Sequence, residues 1–418
     1  MNGTGNRREF VKEIAIGASA LFVAPAFRSP AELAVTGWDL VPPILNRIRP
    51  PNFPSRDFEV TSYGGKGDGR TDCSDAFRNA IAACARAGGG RVVVRSGRFL
   101  TGAIHLASHV NLHVESGATI AFSQDPAKYL PVVLTRFEGV ELMNYSPFIY
   151  ALNCENVAIT GSGSYLRPPF IETYRCRNVL IEGITIVNSP MWEIHPVLSR
   201  NVTVRGVTIN SHGPNNDGCD PESCRDVLIE KCFFDTGDDC IAIKSGRNAD
   251  GRRLATPSEN IIVRGCEMRD GHGGVTIGSE ISGGVRNVFA ENCKMDSPHL
   301  DRALRVKNNA ARGGLIEHIY MRNVTVGEVA DAVLSIDFNY EEGAKGNFTP
   351  IVRDVEMKHV TSRKSQYALY LRGLERSTIA DIRIVDCDFE NVAKPSVVER
   401  VTSLRLANTR INGKTVSA

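Results

Sequence analysis

The sequence predicts an all-β chain wound as a right-handed parallel β-helix, with one helix covering its N-terminal end. Three observations predict this. From about residue 150 one phrase recurs, a polar anchor followed by two short runs of alternating apolar residues. Its copies stand 22 to 36 residues apart with no ten-residue helical pattern between them. The 38 glycines among 418 residues suit many short strands and turns.

Asn178 leads VLIEGITI, Asn201 leads VTVRGVTI and Asp226 leads VLIEKCFF. Asn260 leads IIVRGCEM and Asn287 leads VFAENCKM, and weaker copies begin at His318, Asp354, Asp381 and Ser403. Each phrase reads as two period-two strands joined by a bend such as Glu182-Gly183. Such a coil buries its apolar face only by stacking on its neighbours, which defines a solenoid. Parallel strands joined through crossover helices would show a helical pattern between the phrases, and none is present.

Cysteine fits the same scheme. The chain has 11, an odd number, with no CxxC pair suited to zinc. Cys232, Cys266, Cys293 and Cys387 take the sixth place after their anchors, which Ile184, Val207, Val324 and Val360 take elsewhere. They are expected as small core hydrophobes. The cap is expected at Cys73–Ala87, where Phe77, Ile81 and Cys84 recur at helical spacing, Asp72 is placed to cap, and three glycines follow. GGKGDGRTD lacks the G-K-[ST] ending of a phosphate loop.

A net charge of +2 leaves no field for general nucleic-acid binding, so an anionic partner has to be held locally. Near the N-terminus, Arg7, Arg8, Phe10 and Lys12 precede an apolar run from Ile14 to Ala24 and the small residues Ala24-Pro25-Ala26. This resembles a twin-arginine export signal. Residues 1–30 are therefore set apart as a signal, 31–56 as a linker and 57–418 as one β-helical domain. The expected location is periplasmic or extracellular, without membrane attachment after signal removal.

The unusual polar residues fall in loops that follow four consecutive copies: Asp217, then Asp238 and Asp239, then His272, then Arg305 and Lys307. Coils lie about 4.8 Å apart, so these groups are expected to share one groove. Carboxylates this close cannot all ionise freely, and at least one pKa is expected to rise. A raised acid beside an ionised base is what glycosidic cleavage needs. A gap of roughly 6.5–9.5 Å between them would accommodate a water and predict inversion.

Taken together, these motifs resemble glycoside hydrolase family 28, the polygalacturonases, whose pattern runs N-T-D, D-D, G-H-G, R-I-K. Here the text is Asn216-Asp217, Asp238-Asp239, Gly271-His272-Gly273 and Arg305-Val306-Lys307. SGRNADGRR and IGSEISGGVRNV look most like the exo-acting branch. The resemblance implies an inverting hydrolase of α-1,4-galacturonosyl bonds. Asp238 would be the general acid, Asp217 and Asp239 the pair that activates water, and His272 the residue that positions the acid. Arg305 and Lys307 would grip a galacturonate carboxylate. Tyr340 falls where the family carries a substrate-contacting tyrosine, with core packing as the alternative.

Lys244 alternates with Ile243 and is expected to face outward, binding a sugar carboxylate or lying solvated. Trp192 and His195 are read either as sugar contacts or as corner packing. His212 is read as a loop residue with a structural hydrogen bond, and Asp220 as a support for the Asp217 loop. After ITGSG only Ser164 and Tyr165 precede LRPPF, where the family carries more chain. That shortening is expected to trim a groove wall or remove a coil strand. The resemblance implies no metal or organic cofactor. The expected partner is an anionic galacturonan, the expected state a monomer. A rhamnogalacturonan hydrolase, a calcium-dependent lyase and a noncatalytic polysaccharide-binding β-helix are the rivals.

Overall fold

The computed structural model describes residues 37–161, 164–166, 170–189 and 191–417. The predicted signal, residues 1–30, lies outside them. Strands pair in parallel from coil to coil, as in Arg177–Glu182 with Arg200–Arg205 and then Arg225–Glu230. The second strand of each phrase stacks likewise, Thr185–Val187 on Thr208–Ser211 on Phe233–Thr236. Together they form a 25-stranded assembly that winds along the solenoid. The remaining face is a four-stranded and a six-stranded sheet joined through single bridges at Cys219 and Glu222. We call it the site sheet.

The anchors have a conformational reason. Asn178, Asn201, Asp226, Asn260, Asn287, His318, Asp354, Asp381 and Ser403 all have φ between 53° and 61°. Asparagine and aspartate tolerate that left-handed region better than most residues. Their side chains also stack: the Asn178 amide donates to Asn156 at 2.8 Å, Asn201 to Asn178 at 2.6 Å and Asn287 to Asn260 at 3.0 Å. Inside the coils one continuous apolar core includes the cysteine ladder at Cys232, Cys266 and Cys293. All 11 cysteines are free and buried.

Helix α2 (Ser74–Arg86) packs Phe77, Ile81 and Cys84 into the N-terminal end of that core. Asp72 caps it from one residue further out than expected, accepting from the Ser74 amide at 2.9 Å. The short connection after residue 161 keeps its strand: Ser164–Leu166 pairs with Thr119–Ala121 on one side and Thr185–Val187 on the other. The expectation of a lost coil strand is therefore corrected, because three residues suffice to continue the ladder.

The predicted linker also differs from the structure. Residues Val41–Arg47 form helix α1, which packs Val41 and Ile44 on an outward row of Leu228, Ile262, Phe289 and Tyr320. Trp38 joins them, with its ring 5.4 Å from that of Phe289. Four apolar residues at outward positions of successive coils need a cover, and this segment supplies it. Among the described residues no helix is long and apolar enough to cross a membrane.

Buried thiols give a direct check. Ellman's reagent is expected to find essentially no fast-reacting cysteine in the native protein and all 11 in denaturant.

Candidate active site

Stacking places the predicted residues as neighbours. Carboxylate oxygens of Asp217, Asp238 and Asp239 all lie within 4.8 Å of one another. Nearest oxygens are a different measure from the 6.5–9.5 Å between carboxyl groups that would predict inversion, and they show how closely the two loops approach. The reason is that the loops before Cys219 and Cys240 sit on adjacent coils, with the Gly218 amide bonded to the Asp239 carbonyl at 2.9 Å. Coil stacking thus brings Asp217 beside Asp238 and Asp239, which neighbour each other in sequence.

The glycines flanking His272 let the next coil approach. A Cβ at Gly271 would come within 2.5 Å of the Asp238 carbonyl oxygen. One at Gly273 would collide with the Thr276 hydroxyl and lie 2.9 Å from an Asp239 oxygen. His272 consequently sits beside the acid pair, with Nδ1 3.1 Å from Asp238 Oδ1. Its hydrogen bond to Asp238 raises the imidazole pKa above its ordinary value. Asp238 keeps 20% of its side chain exposed, against 4% for Asp217 and 0% for Asp239. It alone of the three reaches into the open groove.

The cations partner these carboxylates. Lys307 Nζ donates to Asp239 at 2.6 Å, Arg305 reaches the same carboxylate at 3.3 Å, and Thr276 donates to it at 2.8 Å. Burial alone would raise Asp239, but Lys307 and Arg305 hold it well below the usual carboxylate range. Asp217 behaves oppositely. Burial pushes it up to about 6, only partly offset by Lys244 and reinforced by the charges of Asp238 and Asp239. The paired environments split two buried carboxyls into a fixed anion and a group titrating near neutrality.

Lys244 is the main departure from the sequence reading. It does point out of the core, but it is 2% exposed rather than solvated. Its Nζ lies 3.3 Å from Asp217, 3.4 Å from Asp220 and 3.2 Å from Glu280, and 4.2 Å from the Trp192 ring centroid. It serves as a buried counter-ion to the acidic residues. Asp220, fully buried, is raised well above its ordinary value by that burial and by Asp217. Glu280, despite burial, is drawn down to about 2 by Lys244 and Lys307. Sequence reasoning gave no role to Glu280, although it lies within IGSEISGGVRNV, nor to Thr276, which only its register with Arg305 singles out.

Tyr340 stands half-buried beside both cations, 5.7 Å from the Arg305 guanidinium and 5.4 Å from Lys307 Nζ. These three line a cavity of about 250 Å³ together with Arg302, Asp337 and Tyr370. Trp192 and His195 are 5% and 2% exposed and belong to packing rather than the open groove. His212 pairs with Asp235 at 3.0 Å. With Asp270 they form a second group of donors within 4.8 Å, and Asp270 is already bonded to the Ser297 hydroxyl at 2.5 Å. The Asp217, Asp238 and Asp239 oxygens have the hardness for a divalent cation, but Lys307, Arg305 and Lys244 already supply positive charge there.

Two outcomes follow from the ion pairing. Lys244→Met strands three buried carboxyls and is expected to cost about 3–5 kcal/mol in chemical denaturation. Lys307→Met removes the nearest cation from Asp239 and a charge that also holds Asp217 down, so both pKa values are expected to rise, and the rise of Asp217 from about 6 shifts the acid limb of the activity profile to higher pH.

The sequence profile described as Glycosyl hydrolases family 28 matches residues 151–407. A probable polygalacturonase of Vitis vinifera is 29% identical over 373 residues, 81% of this chain and 75% of that protein. The crystal structure of a hyperthermoactive exopolygalacturonase from Thermotoga maritima is 43% identical, with a TM-score of 0.87 over 90% of this chain and 96% of that one. A family 28 exopolygalacturonase of Yersinia enterocolitica, 21% identical, shares the fold with a TM-score of 0.74 over 87% of this chain and 79% of its own. On the matched coils, the strands they form and the motifs they carry, the chain is a glycosidase that belongs to glycosyl hydrolases family 28.

Proposed function

We propose that this glycosidase hydrolyses α-1,4 bonds between galacturonic acid units, working from a chain end and inverting the anomeric centre. The observation that carries the reading is the division among three neighbouring carboxylates: one partly exposed beside an imidazole, two buried and held by cations. The likeness to the Thermotoga maritima exopolygalacturonase supports chain-end action.

Reach selects the acid. A general acid has to contact the leaving oxygen, and Asp238 is the carboxyl that faces the groove. It gives its proton to the glycosidic oxygen as the C1–O bond breaks, and His272 holds it in place. A water attacks C1 from the opposite side and passes its proton to Asp217, whose raised proton affinity makes it the better base of the buried pair. Asp239, fixed by Lys307, Arg305 and Thr276, orients that water. Neither buried carboxylate is free to advance on C1 as a nucleophile, which supports inversion. Arg305, Lys307 and Tyr340 line the groove where a sugar carboxylate would bind. No step requires a metal or organic cofactor. We also infer export, on the Arg7-Arg8 motif and the apolar run after it.

Polygalacturonate is the test substrate. Asp238→Asn is expected to lower kcat by about 10²–10⁴ without moving the thermal transition by more than a few degrees; wild-type turnover in this variant would remove Asp238 from the role. Proton NMR should show the β-anomer as the first product. The rate is expected to fall as pH drops through about 6, where Asp217 takes up its proton and ceases to be a base. It should fall again as pH rises through the raised value of His272, where the imidazolium holding Asp238 is lost.

A further inference from the structure

The catalytic loops leave the second strands of their phrases, and another group of donors stands where they leave. His212 follows strand Thr208–Ser211, five residues before Asp217. Asp235 lies in strand Phe233–Thr236, three residues before Asp238. Asp270 follows strand Glu267–Met268, two residues before His272. These strands are in register, with Asn210 opposite Asp235 and Phe234 opposite Met268. Three positions distant in sequence therefore converge on one corner. An imidazole nitrogen and two carboxylate oxygens, one atom from each residue, lie within 4.8 Å of one another.

Two observations separate this corner from an ordinary cluster of surface charges. Asp235 is only 7% exposed, and its Oδ1 is shut off from solvent with no hydrogen bond reaching it. His212 Nε2 lies 3.0 Å from that oxygen without donating a hydrogen bond to it. A buried carboxylate oxygen left in that condition is costly. The second observation concerns charge. Lys244, Arg305 and Lys307 pair with the buried catalytic carboxylates. Among the described residues, neither Asp235 nor Asp270 has a lysine or arginine partner; Asp235 has His212 and Asp270 has the Ser297 hydroxyl at 2.5 Å. Two carboxylates and an imidazole thus share a corner without a fixed cation.

We propose that His212, Asp235 and Asp270 form a divalent-metal site that staples together the roots of the three loops carrying Asp217, Asp238, Asp239 and His272. One imidazole with two carboxylates suits an ion of the zinc or manganese class, whereas calcium and magnesium favour an all-oxygen set. Ligands bound to one zinc at about 2.1 Å stand about 3.4 Å apart in tetrahedral geometry. The 3.0 Å between His212 and Asp235 is close to that, and the 4.8 Å limit on the group leaves only a small closure for the ion to make. His212 keeps 45% of its side chain exposed, so the remaining coordination positions open to water. Ser297, on the segment that leads to Arg305, holds Asp270 from behind as an outer-shell partner. The ion is structural. It ties the loops at their base, while their tips carry the chemistry, so the site does not depend on which polysaccharide is cleaved.

The test is a calorimetric titration of the purified, untagged protein with Zn²⁺ after dialysis against a chelator. The wild type is expected to take up one equivalent. Zinc at about a hundredfold excess over Kd should raise the thermal midpoint by about 3 °C. His212→Ala and Asp235→Asn are each expected to weaken zinc by more than the roughly 10–100-fold that an outer-shell partner is worth, and to lose the thermal shift. Zinc held as tightly by His212→Ala would place the ion elsewhere, among Asp217, Asp238 and Asp239, and overturn the proposal. The absence of saturable uptake by the wild type overturns it too, and equal affinity for Ca²⁺ overturns the ligand class. X-ray absorption on the zinc-loaded wild type decides the matter without any variant, should the substitutions prevent folding. One imidazole among oxygen neighbours is expected, and a sulfur ligand or no imidazole overturns the site.

Discussion

Parallel pairing in unbroken register from coil to coil is the constraint on which the rest of this molecule depends. Each coil is too thin to bury its own apolar face, so each is stable only against its neighbours. The same stacking fixes where outward side chains stand. A residue at one place in a coil is brought within about 5 Å of its counterpart in the next, although 22 to 36 residues separate them along the chain from Glu155 onward. Asp217, Asp239, His272 and Lys307 span 91 positions in sequence and meet within four coils.

That compression creates an electrostatic problem, and the site is its solution. Five carboxyls, Asp217, Asp220, Asp238, Asp239 and Glu280, crowd three cations, Lys244, Arg305 and Lys307. Charge cannot be evenly distributed in a space so dry. Asp239 and Glu280 take the cations and stay ionised, while burial forces Asp217 and Asp220 to hold their protons more tightly. The differing proton affinities thus arise from unequal shares of a small number of cations. Asp238 stands apart because it keeps contact with solvent and leans on an imidazole instead.

Much of this was legible beforehand for a physical reason. Solenoid coils repeat, so their alternation, anchors and turn residues recur in the text. Asn201 and Asn260 announce left-handed corners, and Cys266 occupies a valine slot. Tail loops after successive anchors gather on one edge whatever their lengths, which made Asp217, Asp238, Asp239 and His272 readable as a group. The cover over the outward row went unread, and residues 31–56 passed as a linker, although Leu228, Ile262, Phe289 and Tyr320 are apolar where Thr203 is not. Lys244 was legible only in direction. Alternation told that it leaves the core, but its burial depends on Glu280 and Trp192, which belong to other coils.

What the amino-acid order determined by itself was the repeat, the corners, the capping helix and the set of polar loops, because each follows from local periodicity. Tertiary structure alone decided the carboxylate separation, the pairing of Arg305 and Lys307 with Asp239, and the roof that the antiparallel hairpin of residues 133–144 places over Glu172 and Glu222 of the site sheet. Those depend on distances between coils and on insertions that fold back across them. No local pattern encodes where a hairpin will land, so the shape of the groove had to be seen rather than read.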